Sequence, residues 1–268
     1  MDKLLTVEEI SAYIAQIRNL RKGYISNFFL DPQKHEKWVE SSTFFEIGYG
    51  ETHFLIKKEE GFLYLFYIST NIDSLKENLP KVLSELSDNV IVDLVGIEPE
   101  INLVQQVFSE SGFNKYQSLF RMIRTGNPDY NTIVNSNICV AGTKEAAEVF
   151  QLLHCYFDPK AEQLPSILEL NMHAKEGNLL VYKHEGTVIG FIMFELTKVS
   201  FYLRYWFVHP DFREQKIASK LYYTAMEMAK DTKRQMLWIL EDNENAHKRY
   251  EHYGYQQDKM KDIVLIKR

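Results

Sequence analysis

Trp206-Phe-Val-His-Pro-Asp-Phe-Arg-Glu-Gln-Lys-Ile-Ala-Ser-Lys-Leu221 and Asn243-Glu-Asn-Ala-His-Lys-Arg-Tyr-Glu-His-Tyr-Gly-Tyr255 decide the reading of this chain. The first opens as an apolar strand, breaks at His209-Pro210 into a loop, and continues as a helix from Gln215. A helix start behind such a loop leaves backbone N–H groups without intrahelical acceptors, and the helix dipole favours an anion there. The second stretch is a short helix with Ala246, Tyr250 and Tyr253 on one face, stopped by Gly254. An anion site facing a helix that offers a phenol suggests an enzyme acting on a phosphorylated carrier.

Working outward, the same order of elements is read twice. Thr6 with Glu9 makes a capping box, and Ile10, Ile14, Ile17 and Leu20 a helical stripe. A second helix over Asp31 to Val39 follows, then strands Phe44 to Ile47, His53 to Lys57 and Phe62 to Ile68. Helix Asp73 to Leu86, strand Val90 to Val95, helix Pro99 to Ser111 and strand Lys115 to Ile123 complete this half. Thr125-Gly126-Asn127-Pro128-Asp129 is the clearest linker. Beyond it come strand Ile138 to Val140, helices Lys144 to Cys155 and Leu164 to Ala174, and a hairpin of Leu179 to Lys183 with Val188 to Leu196. Strand Phe201 to Val208, helix Gln215 to Ala229, strand Met236 to Leu240, the Tyr250 helix and strand Ile263 to Ile266 close the chain. Phe108-Ser-Glu-Ser-Gly112-Phe113 overlays Tyr250-Glu-His-Tyr-Gly254-Tyr255, so the halves read as a tandem duplication, 1–127 and 128–268. Two unrelated α/β domains are the alternative.

Composition narrows the class. A chain of 268 residues, 45% apolar and 25% charged, suits a soluble globular protein of one or two domains. A net charge of -6, with no basic run interleaved with aromatics, argues against nucleic acid as partner. No apolar run reaches membrane-spanning length and no signal peptide is read, so a cytoplasmic protein without a membrane partner is expected. Cys139 and Cys155 make no disulfide framework, and the eight histidines show no metal spacing, so no metal is expected.

The two opening stretches resemble the GNAT family of acetyl-coenzyme A-dependent N-acetyltransferases. That family ends a strand in Val-x-Pro, opens a helix with Arg/Gln-x-x-Gly-x-Gly/Ala, and closes with Asn-x-x-Ala-x-x-x-Tyr-x-x-x-Gly-Phe. Val208, Pro210, Arg213, Ala218, Asn243, Ala246, Tyr250, Gly254 and Tyr255 stand in the matching positions, and Lys216 replaces the first glycine. The resemblance covers roughly the last half of the chain. It implies an α/β fold of two GNAT-like units, each a mixed, mostly antiparallel sheet flanked by helices. The first half, with Phe108 in place of the phenol and no glycine-rich loop over Ile68 to Leu79, is expected to be degenerate.

The resemblance also implies site roles. The amides of Arg213, Glu214, Gln215, Lys216, Ile217, Ala218 and Ser219 would cradle the carrier's pyrophosphate, with Phe207 and Val208 pairing its pantetheine arm and Asn243 and Ala246 beside it. A left-handed backbone at Lys216 would strain the chain by about 1–2 kcal/mol. Tyr250 would hydrogen-bond the departing thiolate, since full proton transfer from a phenol near ~10 to a thiol near ~8.5 is uphill. Tyr202, Arg204 and Trp206 share one face by alternation, and Glu195 on the neighbouring strand lies opposite Tyr202. Glu195 is a candidate base and Tyr202 and Arg204 candidate acceptor contacts; a Glu195–Arg204 ion pair is the alternative. Acetyl transfer to an amine of an unidentified acceptor, by direct attack in a ternary complex, is the expected function. A carrier-binding or regulatory module without turnover is the alternative.

Overall fold

The computed structural model describes residues 2–3, 6–126 and 137–268. The expected boundary at 127/128 and most of the linker lie outside these residues. The chain divides into two compact units, Met1–Leu119 with Lys259–Arg268, and Phe120–Asp258. The last ten residues thus belong with the first unit.

The first unit opens with β1 (Asp2–Lys3) and α1 (Val7–Asn19), whose Thr6–Glu9 capping box forms as expected. Then follow β2 (Ile25–Ser26), α2 (Pro32–Glu40), β3 (Phe44–Tyr49), β4 (Thr52–Glu59) and β5 (Phe62–Ser69). The helix α3 (Ile72–Leu83), β6 (Asn89–Gly96), α4 (Glu100–Glu110) and β7 (Asn114–Thr125) complete the first pass. Antiparallel neighbours run β1-β3-β4-β5; β6 joins β5 in parallel. The end of the chain, in β13 (Gln256–Lys267), closes this sheet antiparallel to β6 from Lys261↔Gly96 to Lys267↔Val90. Sheet residues of alternate parity, among them Phe54, Ile56, Leu65, Val92 and Leu265, pack against Leu75, Leu79 and Phe108 of the helices.

The second unit repeats the order. It contains β8 (Ile138–Val140), α5 (Thr143–Tyr156), the short α6 (Pro159–Glu162), α7 (Ile167–Lys175), β9 (Leu179–His184), β10 (Thr187–Leu196) and β11 (Ser200–Val208). A 3-10 turn at Pro210–Phe212 leads to α8 (Ile217–Met228), β12 (Arg234–Leu240) and α9 (Glu244–His252). Strands β8 to β11 are antiparallel neighbours, and β12 joins β11 in parallel. The α/β fold with a mixed sheet flanked by helices therefore stands as expected. One face of this sheet packs against α8 and α9 through Ile192, Phe194, Leu203, Leu221, Tyr222 and Tyr255. The other packs against α5 and α7 through Val149, Leu153, Leu170, Phe191, Tyr205 and Phe207.

Two details position the site. First, β11 and β12 pair only from Ser200↔Arg234 to Leu203↔Leu237, although β11 runs on to Val208. The strands splay beyond Leu203. Second, the β10–β11 ladder steps from Phe194↔Leu203 to Met193↔Tyr205 and leaves Arg204 as the extra residue of a bulge. A one-residue slip turns every later side chain to the opposite face. Phe201 and Leu203 therefore point to the α8/α9 side, while Tyr205 and Phe207 point to the α5/α7 side.

Candidate acyl-transfer site

The loop after β11 holds two non-glycine residues in the left-handed region, Glu214 at φ 68° and Lys216 at φ 58°. Lys216 is the N-cap of α8, with ψ 16° and an exposed side chain that makes no polar contact among the described residues. It thus holds the conformation for which glycine is suited, at a strain of about 1–2 kcal/mol. Left-handed residues at alternating positions bring successive N–H groups onto one point, an anion nest. Among the described residues, the N–H groups of Glu214, Gln215 and Lys216 find no backbone or side-chain acceptor. Those of Ile217, Ala218 and Ser219 lie in the first turn of α8, where no intrahelical acceptor exists. Arg213 folds inward, donating from Nε to the Val208 carbonyl at 3.4 Å. Tyr253 donates to Ser219 Oγ at 3.0 Å and ties α9 to the start of α8.

Tyr250 sits on α9 with its ring 5.9 Å from that of Trp206 and 5.8 Å from that of Tyr255. Its hydroxyl has no hydrogen-bond partner among the described residues. Burial, partly offset by the Arg249 guanidinium, pushes the phenol well above its ordinary value of 10. It therefore stays protonated and serves as a hydrogen-bond donor rather than a ready acid. Asn243 caps α9, its side chain accepting from the Ala246 N–H at 3.1 Å. This commits Ala246's N–H to the cap. Phe207 and Val208 occupy the splayed end of β11, beyond the last residue paired with β12.

The bulge corrects one expectation. Tyr202, Arg204 and Trp206 do not share a face. Trp206 packs on Tyr222, Tyr250 and Tyr253 on the α8/α9 side. Arg204 instead lies over the rings of Tyr202 (5.1 Å) and Tyr205 (5.9 Å), and donates to Glu195 Oε1 at 3.1 Å. Glu195 is directly opposite Tyr202, as read from the pattern. Its carboxylate is engaged by the guanidinium, so of the two expectations for Glu195 the ion pair is the one the geometry carries. His173 on α7 lies near this pair; burial lowers its pKa and keeps it neutral.

One group escaped the sequence. Glu162, the last residue of α6, has its carboxyl pushed up to about 7, first by burial and then by the nearby Asp158 charge, against a hydrogen bond from the Asp158 N–H. Glu162's own carbonyl accepts from Tyr205 Oη at 2.7 Å, and the Gln163 carbonyl from the same hydroxyl at 3.0 Å. Only the Pro159 start signal marks this turn in the sequence, and the side chain's burial is not locally encoded.

The first unit presents the corresponding strand pair differently. Its β5 and β6 also pair over only three residues, Phe62↔Asn89 to Tyr64↔Ile91. Here the chain itself enters the gap. Ile25 and Ser26 pair with Ser69 and Ile68 of β5. The buried Asn27 side chain donates to the carbonyls of Leu65 (3.3 Å) and Asp93 (3.0 Å) and accepts from the Tyr67 N–H (2.7 Å). The α3 start is capped by Asn71, and a cavity of about 500 Å³ beside it is lined by Glu51, Asp73 and Glu77 as well as Lys81. A diphosphate would meet carboxylates there.

Against known proteins, the acetyltransferase (GNAT) family model matches residues 146–255. A search of curated proteins found no match. Among solved structures, a Drosophila protein is similar at 17% identity and a TM-score of 0.61, covering 100% of this chain and 99% of its own. The tandem GNAT protein from the clavulanic acid biosynthesis pathway aligns over 98% of this chain and 96% of its own, at 9% identity and a TM-score of 0.62. A GCN5-related N-acetyltransferase from Sphaerobacter thermophilus aligns over 91% and 95%, at 11% identity and a TM-score of 0.54. The acetyltransferase (GNAT) family model thus covers residues 146–255, less than half of the chain, and the chain's fold is similar to that of a tandem GNAT protein.

Proposed function

We propose that the second unit moves an acetyl group from acetyl-coenzyme A to an amine of a small-molecule or peptide acceptor, by direct attack in a ternary complex. The observation that carries this reading is the splay of β11 from β12, with a nest of unpaired N–H groups at its end and an unpartnered phenol, Tyr250, on α9. The carrier's pyrophosphate fits the amides from Glu214 through Ser219, the Arg213 N–H being held by the Pro210 carbonyl at 3.2 Å, and its amide-bearing arm fits the free edge of Phe207 and Val208. A strand-end N–H aimed at the thioester oxygen would stabilise charge as it develops. The Tyr250 hydroxyl would hydrogen-bond the leaving thiolate. Neither cysteine supports a covalent acyl-enzyme, since Cys139 and Cys155 lie on β8 and α5, away from these residues in sequence and both exposed. Tyr202 and Arg204 would contact the acceptor from the α5/α7 side.

The alternative, a module that binds the carrier without turnover, rests on Lys216 and on the absence of a carboxylate from the strand Phe201–Phe207. Lys216 already holds the left-handed geometry, so the substitution supplies no reason to read the site as inactive. In the first unit, Asn27 already satisfies the strand groups that a carrier arm would need. Titration calorimetry with coenzyme A should therefore give one carrier per chain. No heat at about millimolar carrier, where binding is worth only ~4 kcal/mol, would remove the cofactor assignment; two carriers per chain would contradict the first unit's blocked gap.

A further inference from the structure

We propose that the Glu162 carboxylate is the general base that takes the proton from the acceptor's ammonium group, an assignment that rests on the acyl-transfer reading above. Direct transfer to an amine needs such a group, because a protonated nitrogen has no lone pair with which to attack the thioester. The carboxylate expected in that role, Glu195, is paired with Arg204. Among the described residues Glu162 has no such partner. Its only hydrogen bond among the described residues is the one accepted by Oε2 from the Asp158 N–H at 3.1 Å, and no lysine or arginine reaches it.

Position supports the role as well. The turn carrying Glu162 is fixed to β11 by the two hydrogen bonds that its own carbonyl and that of Gln163 accept from Tyr205. Gln163 is held left-handed at φ 45°, which fixes the exit from the turn. Tyr205 lies in the stretch of β11 beyond its last pairing with β12, so the turn carrying Glu162 sits beside the splay where the carrier's arm is proposed to lie. The titratable groups that face it are Asp158 on its own segment, Tyr205 and Tyr250, and both phenols remain neutral. A base surrounded by neutral hydroxyls and one acid is poised near neutrality, where proton transfer is most effective.

The reaction then balances. Glu162 removes one proton from the ammonium; the freed nitrogen lone pair forms the C–N bond as the thioester carbonyl becomes an oxyanion. The second nitrogen proton is lost to solvent as the oxyanion collapses and the C–S bond breaks. The thiolate leaves against the Tyr250 hydroxyl and is protonated from water. Products are the acetamide, the free thiol of coenzyme A and Glu162 ready to release its proton.

The test compares wild type and Glu162→Gln in thiol release from acetyl-coenzyme A, using a panel of primary alkylamines, which are protonated at neutral pH, and hydroxylamine, which is not. With alkylamines the variant should lose about 10²–10⁴-fold in kcat/KM, the range for general-base catalysis. The wild-type profile should be level above about 7 and fall below it, whereas the variant, which draws only on free alkylamine, should rise steadily with pH with no break near 7. Hydroxylamine needs no base and should lose less than about tenfold by the same reasoning. Equal losses with both nucleophiles, or an unchanged pH profile, would overturn the assignment. A wild type that releases no thiol with any amine removes the transfer reading itself, and the base with it. Independently of turnover, a carboxyl carbon resonance absent from the variant should titrate near 7 in wild type; a midpoint in the ordinary carboxylate range would overturn the proposal even if transfer occurs.

Discussion

Lys216→Gly tests how the loop before α8, proposed to hold the carrier's pyrophosphate, accommodates a side chain where the GNAT pattern places glycine. Lys216 sits at φ 58°, ψ 16°, and its side chain is exposed without a partner among the described residues. Relief of left-handed strain is worth about 1–2 kcal/mol. The glycine returns part of that, about 0.4–1 kcal/mol, as extra freedom of the unfolded chain. The net expectation is a stabilisation of about 0.5–1 kcal/mol, read as a rise of about 1–4 °C in the melting temperature for a chain of this size. Carrier affinity should hardly follow. The strain is present in both the free and the bound loop, so it cancels in binding. Only the lost ammonium charge differs, and an exposed, salt-screened charge is worth up to about 1 kcal/mol, or roughly fivefold in affinity. Lys216→Asn, which also tolerates the left-handed region, should share both results. Differential scanning calorimetry and titration with coenzyme A measure the two quantities on the same samples. Destabilisation by Lys216→Gly would mean that the loop is not strained there. A gain in affinity beyond about tenfold, more than a screened charge can supply, would mean that the lysine side chain obstructs the carrier.

Two further expectations follow from half-buried groups. Tyr250→Phe should lower kcat by about ten- to a hundredfold, the worth of one hydrogen bond to a charged group, with coenzyme A affinity unchanged by calorimetry; because burial holds this phenol above its ordinary value, wild type should show no alkaline loss attributable to it up to pH ~10, and equal losses in turnover and affinity would contradict the role. In the first unit, Asp262 is raised well above the carboxylate range by burial and then by Asp93, across the β6–β13 ladder. An acid raised in the folded state loses stability as pH climbs above its unfolded value, so Asp262→Asn should raise the melting temperature more at pH ~8 than at pH ~5; a larger gain at the lower pH would reverse the sign and refute the argument.

Much of this fold was legible because its cues are local. The Thr6–Glu9 box, the alternating strands, the Gly254 stop and the Asn243 cap depend on neighbours within one turn or one hairpin, and each forms where the pattern puts it. The register opposing Glu195 to Tyr202 also came from alternation. Alternation failed at Arg204, because a bulge is fixed by how two strands fit together and leaves no mark in either one. Trp206 was thereby carried to the α8/α9 side, away from Tyr202 and Arg204.

Sequence alone determined the longer helices and strands of both halves, though not β1, β2 or α6, together with the loop-and-helix motif around Lys216 and the place of Tyr250, since periodicity, capping and motif spacing are properties of short segments. Tertiary structure decided the rest. It drew residues 259–268 into the first unit, set Asn27 against the backbone of Leu65, Tyr67 and Asp93, paired Glu195 with Arg204 and, among the described residues, left Glu162 without a cation. Those outcomes turn on burial and on partners far apart in the chain, and the strength of a carboxylate or an amide in this protein depends on what the fold brings beside it.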